Sequence, residues 1–269
     1  MKSLAQSTPL TLDDLHKVGL IDRKTLRTWK TTFEEHLHNS ETMQLRNEES
    51  ISLVEEGLGY LASNSPGEAV TIFLKAISLN PDNVYAWQLM GDALESSDNA
   101  KKAFEVYNRI SQKKPDYAQI LSSMGIMYFK RKKYKQAIRE FKHSIDIDSN
   151  QFVTWDNIGV VYTEQGKYRE ADKAFRKALE LAPASVPTWF NFGAMKLKTK
   201  QYQEAAEIFD QCIKLDPRNG EAWKNHALSL FKIKDFVMAR QCCKKALEFL
   251  PNDENLLSLD KSISRKLKL

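Results

Sequence analysis

The chain has 269 residues, 42% hydrophobic and 28% charged, with a formal net charge of +5. That balance is ordinary for a folded protein, and no apolar run is long enough to suggest a transmembrane helix. Residues 1–10 (MKSLAQSTPL) lack the apolar stretch of a secretory signal. The three cysteines, Cys212, Cys242 and Cys243, form an odd set without metal-ligand spacing; they read as small buried hydrophobes in a reducing, cytoplasmic setting.

Residues 1–10 read as a loose tail. Thr11 and Asp14 cap a short helix through Val18, with Gly19 as its stop. Asp22 caps a longer helix in which Leu26, Trp29, Phe33 and Leu37 form a single apolar stripe at i, i+3, i+7, i+11. Asn39-Ser40 breaks that helix, and residues 41–49 lead toward residue 50.

From residue 50 the sequence repeats with a period of 34. Ala69, Ala103, Ala137, Ala171, Ala205 and Ala239 share one slot. Gly57, Gly91, Gly125, Gly159 and Gly193 share another, with Ala227 in its sixth copy. Pro81, Pro115, Pro183, Pro217 and Pro251 share a third, where Ser149 fills the gap. Trp87, Trp155, Trp189 and Trp223 share a fourth, with Leu53 and Leu121 in the remaining copies. Within one copy, Trp155, Ile158, Gly159 and Tyr162 lie on one helical face, and Gly166 ends that helix. Tyr168, Ala171, Phe175, Ala178 and Leu179 define a second helix, closed by Pro183. Each unit is thus two antiparallel helices, and the glycine and alanine slots let their backbones approach closely. One hairpin cannot bury its own apolar face, so neighbours must stack. In the first copy, Ser65, Pro66 and Glu68 read as a capping box for the second helix.

These slots resemble the tetratricopeptide repeat (TPR) family. The resemblance covers residues 50–253, as units 50–83, 84–117, 118–151, 152–185, 186–219 and 220–253. It implies an all-α, right-handed α-solenoid of six helix-turn-helix repeats. Residues 1–49 would form an N-terminal helical extension or cap. Residues 254–269 would be a C-terminal capping helix, with Leu256, Leu259, Ile263 and Leu267 inward and Lys261, Arg265, Lys266 and Lys268 outward.

Such proteins bind partners on the concave face lined by the first helix of each unit. The sixth slot of three successive units is asparagine: Asn157, Asn191 and Asn225. An amide offers both donor and acceptor to an extended peptide backbone. Asp156, Lys198, Lys224 and Lys232 line the same expected groove, with Phe190 and Phe231 as side-chain pockets. The lysine and asparagine slots of the carboxylate clamp in chaperone adaptors are not assembled here, since the fifth and ninth slots of the successive units begin Val54/Leu58, Gln88/Asp92 and Ser122/Ile126.

Charge is uneven: −4 over residues 1–83, zero over 84–117 and +9 over 118–269. The densest cluster, Lys130, Arg131, Lys132, Lys133 and Lys135, straddles the turn of the third unit. It reads as a solvated turn, or as a docking patch for an acidic partner or nucleic acid. Its aromatic neighbours, Tyr134 and Phe141, occupy core slots and are not available to stack on bases, which disfavours nucleic acid. Residues 14–29 have a fainter resemblance to the helix-turn-helix start of MerR-type regulators, with one residue missing before Gly19 and one extra after it. Packing of Trp29 and Phe33 on the first repeat is the favoured reading of that segment.

No phosphate loop, metal-binding His pair or nucleophile elbow is present. His36 and His38 point to different sides of a helix, and His226 falls in a core slot. No cofactor or metal site is expected. The sequence therefore points to a non-catalytic adaptor or scaffold that binds a protein or peptide in its groove. The alternatives are a nucleic-acid-linked regulator using residues 11–38 or the basic turn, and a self-assembling scaffold.

Overall fold

The computed structural model describes residues 8–34 and 40–268, among which there are fifteen helices and no strand. The chain divides into two compact units, one ending at Asp148 and the other beginning at Ser149. The first contains α1 (Leu12–Lys17), α2 (Arg23–Glu34), α3 (Ser40–Ala62), α4 (Pro66–Leu79), α5 (Val84–Ser96), α6 (Ala100–Lys113), α7 (Ala118–Lys130) and α8 (Tyr134–Ile147). The second contains α9 (Phe152–Glu164), α10 (Tyr168–Leu181), α11 (Val186–Lys198), α12 (Tyr202–Leu215), α13 (Gly220–Lys232), α14 (Phe236–Phe249) and α15 (Glu254–Leu267). From α3 to α14 the helices pair as hairpins, three in each unit.

The glycine slot explains how the hairpins close. A Cβ on Gly159 would lie 2.7 Å from the Phe175 ring, and one on Gly193 would lie 2.8 Å from the Phe209 ring. Gly57, Gly91 and Gly125 are overlaid in the same way by Phe73, Tyr107 and Phe141. The sixth hairpin reverses the arrangement: Ala227 replaces glycine, and Cys243 replaces the aromatic. Both are fully buried in one cluster.

The tryptophan and proline slots are linked by hydrogen bonds. The indole Nε1–H of Trp87, Trp189 and Trp223 donates to the carbonyl oxygen of Pro81, Pro183 and Pro217, at 2.9, 2.8 and 2.9 Å. Trp155 makes the same bond to Ser149 at 3.1 Å. The bond uses the main chain, so the slot tolerates serine.

Every hairpin turn passes through left-handed backbone at the same slot. Asn64, Asp98, Lys132, Gly166, Lys200 and Lys234 have φ between 57° and 72°. Gly166 adopts this freely, whereas a β-carbon there is strained. The expected capping box at Ser65 does not form. Pro66 occupies the first turn, but the Ser65 side chain makes no cap hydrogen bond at ψ 66°. The Ser65 N–H that Glu68 would take in such a box is donated instead to Tyr60 O at 2.8 Å.

The N-terminal helices follow the expected caps. The Asp14 carboxylate accepts from the Thr11 backbone N–H at 2.8 Å, Gly19 is left-handed, and Asp22 accepts from Thr25 N–H at 2.7 Å. Residues 8–10 are anchored rather than loose. Thr8 N–H donates to Lys113 O at 2.7 Å, Leu10 N–H donates to Asp82 Oδ1 at 2.8 Å, and the Leu10 side chain is buried. Asp14, fully buried, also pairs with Arg109 of α6. Leu26, Trp29 and Phe33 pack half-buried on the core of this unit. Leu37 and Asn39 lie outside the described residues. Residues 41–49 belong to the opening turns of α3.

In the second unit, Lys196 is 4% exposed. It lies between Asp172 and Glu204, 2.7 Å from each, in a slot that is Tyr or Leu in the other hairpins. On α15, Leu256 and Ile263 are fully buried and Leu259 and Leu267 half-buried, and the Leu256 carbonyl lies 3.7 Å from Cys243 Sγ.

Candidate peptide-binding face

The first helices of the second unit's hairpins are neighbours: α11 touches both α9 and α13. The slot-six asparagines therefore lie on three adjacent helices, all half-buried. Their surroundings differ. Asn191 donates its side-chain amide to Asp156 Oδ2 at 3.0 Å. Asn157 Nδ2 is buried with no hydrogen-bond partner, and so is Asp156 Oδ1. Asn225 is engaged through its main chain, its carbonyl accepting from Ser229 Oγ at 2.8 Å. Burial pushes the Asp156 carboxyl above the ordinary aspartate range, against hydrogen bonds from Asn191 and Thr188 that favour the charge.

Beside this pair lies a pocket of about 200 Å³, walled by Val160, Ala194, Met195 and Phe175 and edged by Thr163, Glu164, Asn191 and Lys198. Lys198 pairs with Glu164 at 3.1 Å. Lys224 lies 2.7 Å from Glu221 and 2.9 Å from Asp253. Burial works against its charge, but these hydrogen bonds hold its pKa above the usual lysine value. Lys232 is exposed and forms no ion pair among the described residues. Phe190 and Phe231 turn much of their surface into their own hairpins, with ring centroids 5.8 Å from Phe209 and 5.5 Å from Phe236.

The basic turn separates into two groups. Lys130 pairs with Glu95 at 2.6 Å. Arg131 donates to Ala100 O at 3.2 Å and lies over the Phe104 ring. Both tie the third hairpin to the second. Lys132, Lys133 and Lys135 are exposed and make no ion pair among the described residues.

Two further polar links were not legible in the sequence. The Tyr107 hydroxyl donates to Asp92, and the Tyr117 hydroxyl donates to Gln88 Oε1 at 2.8 Å. The first left a signal, because Tyr107 stands where most other hairpins carry phenylalanine. Burial raises the Asp92 carboxyl and outweighs the Tyr107 hydrogen bond.

Burial lowers the pKa of His226 and raises the thiols, Cys212 and Cys242 to about 11 and Cys243 to about 12. Such thiols stay protonated and unreactive. Among the described residues no cluster of His, Cys, Asp and Glu is arranged to hold a metal ion, and no helix is long and apolar enough to cross a membrane.

Three tetratricopeptide repeat family models match residues 72–105, 150–218 and 196–261. The chain is a tetratricopeptide repeat protein. The peroxisomal targeting signal receptor of Candida albicans is 28% identical to this TPR chain over 86 residues. That match covers 31% of this chain and 14% of the receptor's length. Pseudomonas aeruginosa pilF superposes with a TM-score of 0.68 at 17% identity, covering 82% of this chain and 99% of that one. PilW, a type IV pilus biogenesis factor, gives 0.69 at 16% identity, over 78% of this chain and 97% of that one. YrrB, described as a TPR protein with an unusual peptide-binding site, gives 0.57 at 20% identity, over 70% and 97%. At these identities the structural likeness establishes the all-α, paired-helix TPR fold.

Proposed function

We propose that this TPR protein is a non-catalytic adaptor or scaffold, and that the inner face of its C-terminal unit holds an extended segment of a partner protein. One observation carries the reading. Asp156 Oδ1 and Asn157 Nδ2, an acceptor and a donor on consecutive residues, are both buried and unpartnered. Buried polar groups are normally paired, and leaving one unmade costs about 1–3 kcal/mol. Both residues are half-buried, so rotation of their side chains toward the groove offers these groups to a peptide backbone, its N–H to Asp156 and its C=O to Asn157, while the pocket between Val160 and Met195 takes a side chain. The peptide-binding site described for YrrB and the targeting-signal recognition in the receptor's name support this assignment. Asn191, Asn225, Lys198, Lys224 and Lys232 form the rest of the proposed face. The protonated thiols suit a reducing compartment, and the proposed location is cytoplasmic.

The test is selection of a random-sequence dodecapeptide library on the full chain, followed by binding to Asp156→Ala/Asn157→Ala. Selected peptides should lose at least about tenfold in affinity for the variant, roughly two hydrogen bonds' worth. Equal binding by the variant would remove this face as the site.

A further inference from the structure

We propose that the tip of the sixth hairpin is a membrane-contact site, which seats the protein on the interface of an anionic lipid bilayer. The inference rests on the turn between α13 and α14 and is independent of the peptide-binding face.

Three slots at that tip break the repeat pattern. They hold Ile233, just past the end of α13, and Val237 and Met238, in the first turn of α14. In the other five hairpins the same slots carry only serine, threonine, glutamine, arginine, lysine, glutamate or glycine; the fifth, for example, has Thr199, Gln203 and Glu204. The sixth is apolar at all three, and these side chains stand in water: Ile233 is 36% exposed, Val237 60% and Met238 44%.

The hairpin's own packing does not use them. Below the tip Phe231 packs on Phe236 with ring centroids 5.5 Å apart, and Ala239 is fully buried. The turn is closed by its own hydrogen bonds. The N–H groups of Ile233, Lys234 and Asp235 donate to Ser229 O, Phe231 O and Leu230 O at 3.1, 3.1 and 3.0 Å, and Met238 N–H donates to Asp235 Oδ1 at 3.1 Å. With those donors satisfied, the tip enters a medium poor in water without stranding them.

Shape and charge choose the occupant. A tip where the chain reverses direction is convex and offers no walls to grip a partner's side chain. A bilayer interface supplies its own cavity: apolar side chains sink to the acyl boundary while lysine heads stay among the phosphates. Lys232 and Lys234 flank Ile233, and Lys200 holds the turn slot of the preceding hairpin, whose α11 touches α13. All three lysines are exposed and form no ion pair among the described residues. The carboxylate at the tip, Asp235, is spent as the cap of α14. Stable attachment to a membrane surface takes two signals, and this tip combines apolar insertion with attraction to anionic headgroups.

The test is co-sedimentation of the full chain with vesicles, either phosphatidylcholine alone or equal parts phosphatidylcholine and phosphatidylserine. The protein should partition onto the mixed vesicles, far less onto the neutral ones, and detach as salt is raised. Ile233→Ser/Val237→Ser/Met238→Ser and Lys200→Gln/Lys234→Gln should each weaken binding at least about tenfold, with circular dichroism unchanged because these side chains are exposed. Lys132→Gln/Lys133→Gln removes the same charge in the other unit and should bind like wild type, as should Asp156→Ala/Asn157→Ala. An environment-sensitive dye on Met238→Cys should shift its emission to the blue on mixed vesicles, which records insertion. No partition by wild type, an unchanged serine variant, or an equal loss in Lys132→Gln/Lys133→Gln would overturn the proposal. So would binding of a soluble glutamate–leucine helix to this tip without vesicle attachment, which would assign the surface to an acidic protein.

Discussion

The side-chain amide of Asn191 donates to Asp156 Oδ2 at 3.0 Å, reaching from α11 to the preceding repeat's α9. This bond satisfies one carboxylate oxygen and leaves the other buried and bare. Burial holds the folded pKa of Asp156 above its ordinary value of 3.8. Protonation is therefore favoured in the folded state, and its stabilising effect is fully present below the unfolded value and lost as pH rises through the folded one. At neutral pH the charge costs stability. Asp156→Asn keeps the shape and discards the charge, so it should melt higher than wild type at neutral pH and converge with it in acid. Thermal melts across that range check this. A variant less stable than wild type at neutral pH would show that the carboxylate is stabilising.

Left-handed backbone at Lys132, Lys200 and Lys234 carries a β-carbon where Gly166 carries none. The conformation costs a non-glycine residue roughly 1–2 kcal/mol, partly offset by glycine's greater entropy loss on folding. Lys200→Gly should therefore stabilise by about 0.5–1 kcal/mol in urea unfolding. Lys132→Gly should do the same while removing a charge from the basic turn. No gain at either site would mean that the turn relaxes around the side chain.

The glycine–aromatic contact makes a sharper claim. Gly193→Ala places its Cβ against the Phe209 ring and should cost about 1–3 kcal/mol through overpacking. In the sixth repeat, Cys243→Phe alone should destabilise, because Ala227 occupies the required space. Adding Ala227→Gly should restore much of the loss. A double-mutant cycle measures the coupling, and strict additivity would disprove a compensated pair.

The fold was legible because stacked repeats impose the same constraint six times. Gly159, Ala171 and Pro183 each recur at a fixed step, with Ala227 the single departure from the glycine slot and Ser149 the single departure from the proline slot. Why the proline slot tolerates Ser149 was not legible: the Trp155 indole uses the carbonyl, which every residue possesses. The turn slot was readable in principle, since Asn64, Asp98 and Gly166 favour left-handed backbone, but the three lysines masked it. The site was less readable than the fold. Spacing identified Asn157, Asn191 and Asn225 as equivalent, yet their pairing depends on what each neighbour offers. Asp156 engages Asn191, whereas Asn157 Nδ2 lacks a partner. The commitment of Lys130 to Glu95 and of Lys224 to Asp253 was likewise invisible, because each pair is separated by about one repeat in sequence.

The most direct measurement is the dissociation constant of one library-selected peptide for three forms of the full chain. These are wild type, Asn157→Ala/Asn191→Ala/Asn225→Ala, and Lys132→Glu/Lys133→Glu. Each lost hydrogen bond should cost about 0.5–1.5 kcal/mol, so the triple variant should bind more than about tenfold more weakly, with a circular dichroism spectrum that shows its helices still folded and a melting temperature lowered by the loss of the Asn191–Asp156 bond. The basic-turn variant should bind like wild type. The opposite pattern, full affinity in the asparagine variant and loss in the lysine variant, would place the ligand on the turn and contradict the inner-face account.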